Sequence, residues 1–239
     1  MSDPAKTAPV LSIRDLNAWY GESHVLHGLS FDVNEGEVVT LLGRNGAGKS
    51  TTLKSIIGIM KRRKGSVTFK GNELIAAPSR RIARAGIAFV PEHRGIFASL
   101  SVQENLMLPP VIAPGAMSLD EIFTLFPNLR ERLKSPGTKL SGGEQQMLSM
   151  ARVLRTGART ILLDEPTEGL APVIIQQIGR VIGDLKRRGY TIVLVEQNFR
   201  FASSVADRHY VVELGRVVDQ FDNETVKADP ARLQSYLGV

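Results

Sequence analysis

Two apolar runs in this chain lead into groups able to do chemistry: "LLGRNGAGKST" leads into Lys49, Ser50 and Thr51, and "ILLDE" ends in Asp164 and Glu165. Gly43, Gly48, Lys49 and Ser50 fit the spacing G-x-x-x-x-G-K-[ST], after an expected strand and before an expected helix over 51–57. Glycines let backbone N–H groups converge on phosphate oxygens, and the helix N-terminus adds positive potential. Lys49 then reaches the β and γ phosphates, Ser50 offers a hydroxyl to Mg2+, and Asn45, Gly46, Ala47 and Thr51 complete the cradle. No other common ligand needs that set; the plain alternative is a glycine-rich strand-to-helix turn.

The carboxylates stand where a buried strand leaves its sheet, the edge at which doubly wound sheets bind ligands. Asp164 is placed to hold Mg2+, directly or through water, and Glu165 to orient and deprotonate an attacking water. Alone, Asp-Glu-Pro has a helix entry as its lesser alternative; the phosphate loop upstream further favours the chemical reading. In "LSGGEQQ", Ser141 and Glu144 form an S-x-x-E capping box, followed by the apolar stripe Met147, Met150, Ala151 and Leu154. A helix beginning Ser141-Gly142-Gly143 also presents free N–H groups to an anion.

Positioning these groups takes an α/β fold. Compact apolar runs at 38–42, 87–90, 161–163 and 191–195 alternate with helical patterns, the signature of a mostly parallel sheet. Shorter β-branched runs at 11–13, 29–33 and 66–69, with a turn at "KGNE" (70–73), predict an N-terminal antiparallel layer. The proline-broken region 99–140 reads as short helices inserted between strands. A helix opening at Pro172, carrying Ile174, Ile178, Ile182 and Leu185 on one face and stopping at Gly189, is the plainest in the chain. Near the end, a hairpin is expected about Glu213–Arg216, then a helical tail finishing at "YLGV".

The longest uninterrupted apolar segments are strand-sized, against roughly 18 residues for a membrane span, so any membrane role is borrowed from a partner. Residues 1–10 read as a flexible tail rather than a leader, which with the absence of cysteine fits the cytoplasm. A net charge of +6 allows nucleic acid, anionic lipid or nucleotide as partner. The runs Lys61–Lys64 and Lys186–Arg188 lack the interleaved aromatics of a base-stacking platform, so no nucleic-acid partner is expected. Both precede glycines and read as cations at helix C-termini.

Together, the phosphate loop, "LSGGE" and "ILLDE" resemble the ATP-binding-cassette ATPases. The resemblance implies a P-loop (RecA-like) parallel core with an N-terminal antiparallel β subdomain and an α-helical subdomain at about 99–155, all within 11–239. It implies ATP and Mg2+ as ligands and a head-to-tail dimer in which Ser141, Gly142, Gly143 and Glu144 complete the partner's site in trans. It also assigns Tyr20 to adenine stacking, Glu92 to the metal and γ-phosphate loop, and Gln197 to the switch position. Glu92 and Gln197 depart from the usual glutamine and histidine; Gln197 is expected to act as a neutral donor that senses the γ-phosphate and cannot titrate near neutral pH. "VPE", "GLAPVIIQQI", "LVEQN" and "YLG" narrow the likeness to one ATPase subunit of the bacterial branched-chain amino acid importers, with His93 where glycine is expected. That implies hydrolysis coupled to uptake, membrane permease subunits, a companion ATPase or a second copy, an extracytoplasmic binding protein acting indirectly, and a place on the cytoplasmic face of the inner membrane. An importer of urea or short amides, a soluble cassette acting on nucleic acid or ribosomes, and a binding module without hydrolysis stand as alternatives.

Overall fold

The computed structural model describes residues 8–229 and Tyr236. Its strands are β1 (Leu11–Tyr20), β2 (Ser23–Val33), β3 (Val38–Leu42), β4 (Arg62–Phe69), β5 (Asn72–Glu73), β6 (Ile87–Val90), β7 (Thr160–Asp164), β8 (Thr191–Glu196), β9 (Arg208–Glu213) and β10 (Arg216–Asp222). The helices are α1 (Lys49–Ile56), α2 (Ser79–Ala85), α3 (Val102–Met107), α4 (Leu119–Leu125), α5 (Pro127–Glu131), α6 (Gly142–Leu154), α7 (Pro172–Arg187), α8 (Phe199–Val205) and α9 (Asn223–Ala228). One sheet runs β2-β1-β4-β5, all antiparallel; the other runs β10-β9-β3-β8-β7-β6, parallel except for the β10 edge.

β3, β7 and β8 are buried throughout, which is why they read as continuous apolar runs rather than alternating ones. The expected turn after Phe69 and the hairpin between Glu213 and Arg216 are both present. The inserted lobe lies between β6 and β7 and consists of α3 to α6. Ser-x-x-Glu boxes start three of its helices, at Ser101, Ser118 and Ser141. Phe126, Leu129, Leu140 and Met147 join this lobe to the core cluster that includes Leu163, Ile182 and Leu194.

Two expectations change. Arg62, Arg63 and Lys64 do not end a helix: α1 stops at Ile56, Gly58 turns the chain at φ +80°, and the cations belong to β4. Arg63 still satisfies a carbonyl of the last turn of α1, donating from Nη1 to Ser55 O at 2.8 Å, but it does so through the fold rather than along the helix. The N-terminal layer is also engaged before residue 11: Val10 is buried, and its carbonyl accepts from Lys70 N at 2.8 Å. The first seven positions of the expected tail and most of the "YLGV" ending lie outside the described residues. Tyr236 itself donates to Asp219 Oδ2 at 3.1 Å.

Candidate functional site

The phosphate loop leaves β3 and enters α1, and two glycines show why the sequence requires them. A Cβ on Gly43 would stand 2.2 Å from the Val212 carbonyl oxygen. Gly48 sits at the start of α1 with φ +105°, a left-handed conformation that costs other residues energy. The loop borders a hollow of about 500 Å3 lined by Asn45, Gly46, Gly48, Lys49, Ser50 and Thr51, with Val25, Glu92, Glu165 and Glu168 opposite. A larger hollow of about 1060 Å3 runs between α7 and α8, but it contains none of the phosphate-loop groups, so chemistry rather than size selects the smaller one.

Lys49 is almost wholly buried. Its Nζ donates to the carbonyls of Gly43 at 2.9 Å and Arg44 at 3.1 Å and lies 3.5 Å from Glu165 Oε1. On the other oxygen, Glu165 Oε2 accepts from Gln197 Nε2 at 2.9 Å. Glu165 adopts φ +45°, a left-handed conformation that costs a non-glycine residue about 1–3 kcal/mol, and its N–H is fixed to Val195 O at 3.0 Å. The strain belongs to the residue whose carboxylate must leave the β7 line to meet Lys49 and Gln197. Register makes this possible, because Asp164 pairs with Val195 across adjacent parallel strands and Gln197 follows two residues later.

Ser50 Oγ donates to Asp164 Oδ1 at 2.7 Å, while the buried Asp164 Oδ2 has no hydrogen-bond partner. Burial pushes the Asp164 carboxyl above its ordinary range; the Ser50 hydrogen bond and Lys54 oppose this, and the charges of Glu165 and Glu92 add to it. Glu168 is raised as well, first by its hydrogen bond to the Glu165 carboxyl. A hydroxyl, an orphaned carboxylate oxygen and a ring of acids fit a cation completed by phosphate and water oxygens, the habit of Mg2+. Among the described residues no three His, Cys, Asp or Glu converge into a self-sufficient metal cage.

The structure thus brings together Lys49, Ser50, Asp164, Glu165 and Gln197, with Glu92 exposed on the wall of the hollow. Tyr20 stands elsewhere: half exposed, it borders a third hollow with Trp19, Lys54 and Arg62. Val25, on the next strand, lines the phosphate hollow itself. Ser141 is exposed at the start of α6, accepting from Glu144 N at 3.3 Å and donating its own N–H to Glu144 Oε2 at 2.8 Å. None of Ser141, Gly142, Gly143 or Glu144 lines the phosphate hollow. Sequence reading missed Val25 and the carboxyl contact of Glu168; the Ser-x-x-Glu and Glu-Pro-Thr-Glu spacings carried no signal for either.

Comparison with known proteins places these features in a family. The ABC transporter domain family matches residues 26–168. The high-affinity branched-chain amino acid transport ATP-binding protein BraG of Pseudomonas aeruginosa is 43% identical over 96% of this chain and 100% of its own length. The ADP conformation of MJ1267, an ATP-binding cassette of an ABC transporter, is similar with a TM-score of 0.80 and 25% identity over 98% of this chain and all of that one. The dimeric structure of MJ0796, a bacterial ABC transporter cassette, matches with a TM-score of 0.79 and 25% identity over 89% of this chain and 98% of that one. The α/β fold expected from the sequence is the one these cassettes share, and the chain belongs to the ABC transporter family as one of its ATP-hydrolysing, nucleotide-binding subunits.

Proposed function

We propose that this subunit drives the import of branched-chain, hydrophobic amino acids, working as a head-to-tail pair with a companion ATPase or a second copy on the cytoplasmic face of the inner membrane. The observation that carries the hydrolytic part is Glu165, held at 3.5 Å from Lys49 and 2.9 Å from Gln197 beside the Ser50–Asp164 pair. Its backbone strain and two partners orient one carboxylate at the phosphate hollow, where it takes the proton of an attacking water. Gln197 donates to that carboxylate, so the switch residue fixes the direction in which it faces. Lys49 passes from the Gly43 and Arg44 carbonyls to the β and γ phosphates, while the loop N–H groups hold the rest of the chain of phosphates.

Ser50 and its partner Asp164, with Glu92 lining the same hollow as Ser50, would hold Mg2+, which when bound would neutralise charge on the transferring phosphate. Tyr20 offers an exposed ring to the adenine. Ser141, Gly142, Gly143 and Glu144 present a capped helix N-terminus to the partner's γ-phosphate, so closing the pair depends on that phosphate.

Among the described residues no helix is long and apolar enough to cross a membrane. A permease pair would meet this chain at a strongly apolar groove of about 380 Å3 between the core and the inserted lobe, lined by Ile59, Ala83, Phe89, Pro110 and Ile112. An extracytoplasmic binding protein would act through that permease. The amino-acid substrate rests on the likeness to BraG, and urea or short amides form the second reading. Reconstitution with the neighbouring permease and binding protein tests both: leucine, isoleucine or valine should stimulate ATP hydrolysis and accumulate in vesicles. Stimulation by urea or amides alone would transfer the assignment to the second reading.

A further inference from the structure

Glu196 ends β8 and is buried to 3% exposure, yet among the described residues no cation faces it in any hydrogen bond or ion pair. Its two carboxylate oxygens serve two different loops. Oε1 accepts from Thr167, from the hydroxyl at 2.7 Å and the N–H at 3.3 Å. Oε2 accepts from the N–H groups of Gln197 at 3.2 Å and Asn198 at 3.3 Å. Thr167 lies in the turn that leaves Glu165, closed by Glu168 N donating to Glu165 O at 3.2 Å and Leu170 N to Thr167 O at 3.3 Å. Asn198 caps α8, accepting from Phe201 N at 3.1 Å.

The ladder between β7 and β8 ends at Asp164 and Val195, and beyond that pair the link passes to the Glu196 side chain. We propose that Glu196 is a positioning residue for ATP hydrolysis, a buried clamp that holds the turn after Glu165 and the switch segment in register so that the Gln197 amide meets the Glu165 carboxylate. The donors all point at the carboxylate, which favours its charged form although burial pushes its proton affinity up. A buried carboxylate without a counter-ion is costly to keep, and four converging donors explain why it persists. Glu196 does not line the phosphate hollow. It acts through Gln197 and the Glu165 turn, and so rests on the roles proposed above for those two residues.

The test uses the full chain with MgATP. In Glu196→Gln one oxygen becomes an NH2 group, so one of the two loops meets a donor instead of an acceptor. Turnover should fall by about 10- to 100-fold while KM for ATP stays within about twofold, because the phosphate loop is untouched. Thr167→Val, which removes only the hydroxyl, should lower turnover in the same way by about threefold or more, and Thr167→Ser should restore it. In a Gln197→Ala background, Glu196→Gln should add less than about twofold, since both changes act through one contact.

Wild-type turnover in folded Glu196→Gln overturns the proposal, as does an equal loss in both backgrounds or a loss of ATP affinity in step with turnover. If Glu196→Gln does not fold, the Thr167 pair decides: equal turnover in the valine and serine variants overturns it. Gln197→Ala with wild-type turnover removes the underlying reading of the site and the clamp with it. Gln197→Ala impaired with Glu196→Gln unaffected removes the clamp alone.

Discussion

Glu165→Gln tests the arrangement at its centre. The amide keeps the shape of the side chain and one acceptor oxygen but loses the charge and the basicity. In the wild type the two carboxylate oxygens are divided between Lys49 Nζ at 3.5 Å and Gln197 Nε2 at 2.9 Å. The variant can satisfy only one of these donors, so Lys49 loses its anionic neighbour and keeps the Gly43 and Arg44 carbonyls. Removing a general base costs about 10²- to 10⁴-fold in rate, or about 2.7–5.5 kcal/mol on the barrier. Freeing Lys49 from a competing ion pair should strengthen its contact with phosphate by about 1 kcal/mol, or about fivefold in ATP affinity. Binding kept or improved while turnover collapses should trap the closed pair. Size-exclusion chromatography with light scattering in MgATP, alongside a steady-state hydrolysis assay, reads both effects. Turnover within tenfold of wild type, or monomer alone with ATP bound in both self-paired and companion-paired samples, would refute the reasoning.

Ser141→Arg places a bulky cation on the exposed serine that starts α6, and should abolish hydrolysis and pairing while leaving ATP binding by the same chain intact; loss of binding measured with a fluorescent nucleotide would contradict a role in trans. Gly43→Ala puts a methyl 2.2 Å from Val212 O and should destabilise by about 1–3 kcal/mol, lowering the melting temperature by roughly 2–4 °C per kcal/mol; an unchanged melting curve would show that the strand end relaxes freely. His209 is fully buried between Thr40 Oγ1 at 2.7 Å and Asn223 Oδ1 at 3.0 Å, and burial lowers its pKa below the ordinary value of 6.5. The unfolded chain therefore takes the proton first, so this stability is complete above pH 6.5 and is lost as pH falls through the folded pKa. Urea unfolding at pH 7.5 and pH 5.5 should show a larger acid loss in the wild type than in His209→Gln, and equal losses would assign the acid sensitivity elsewhere.

What was legible in the sequence was local. The phosphate loop, the acidic pair, the capping box at Ser141 and the Pro172 helix are each set by residues within a few positions of one another, and each forms as its spacing dictates. Lys61–Lys64 misled because a cation run before a glycine fits two local structures. What decides between them is the turn at Gly58 and the partners that β4 finds in β1. Likewise, the hairpin at 213–216 could be read, but not that β9 inserts beside β3, since strand order is a property of the whole sheet. The contact between Gln197 and Glu165 joins positions 32 residues apart and depends on adjacent strand ends that no single-chain pattern encodes.

Glutamine at position 197 brings a neutral donor to Glu165. Its amide donates to one Glu165 carboxylate oxygen and does not itself titrate near neutral pH, while Lys49 Nζ stands 3.5 Å from the other oxygen. If Lys49 engages phosphate as proposed, its hold on Glu165 would weaken while the Gln197 contact stays in place. On the role proposed for it, Glu165 would then pass from counter-ion to base while Gln197 keeps it oriented, which would make proton transfer conditional on the γ-phosphate. A titratable switch residue would tie that transition to pH. With an amide there, the proposed transition would depend on the phosphate and on the geometry of the two loops.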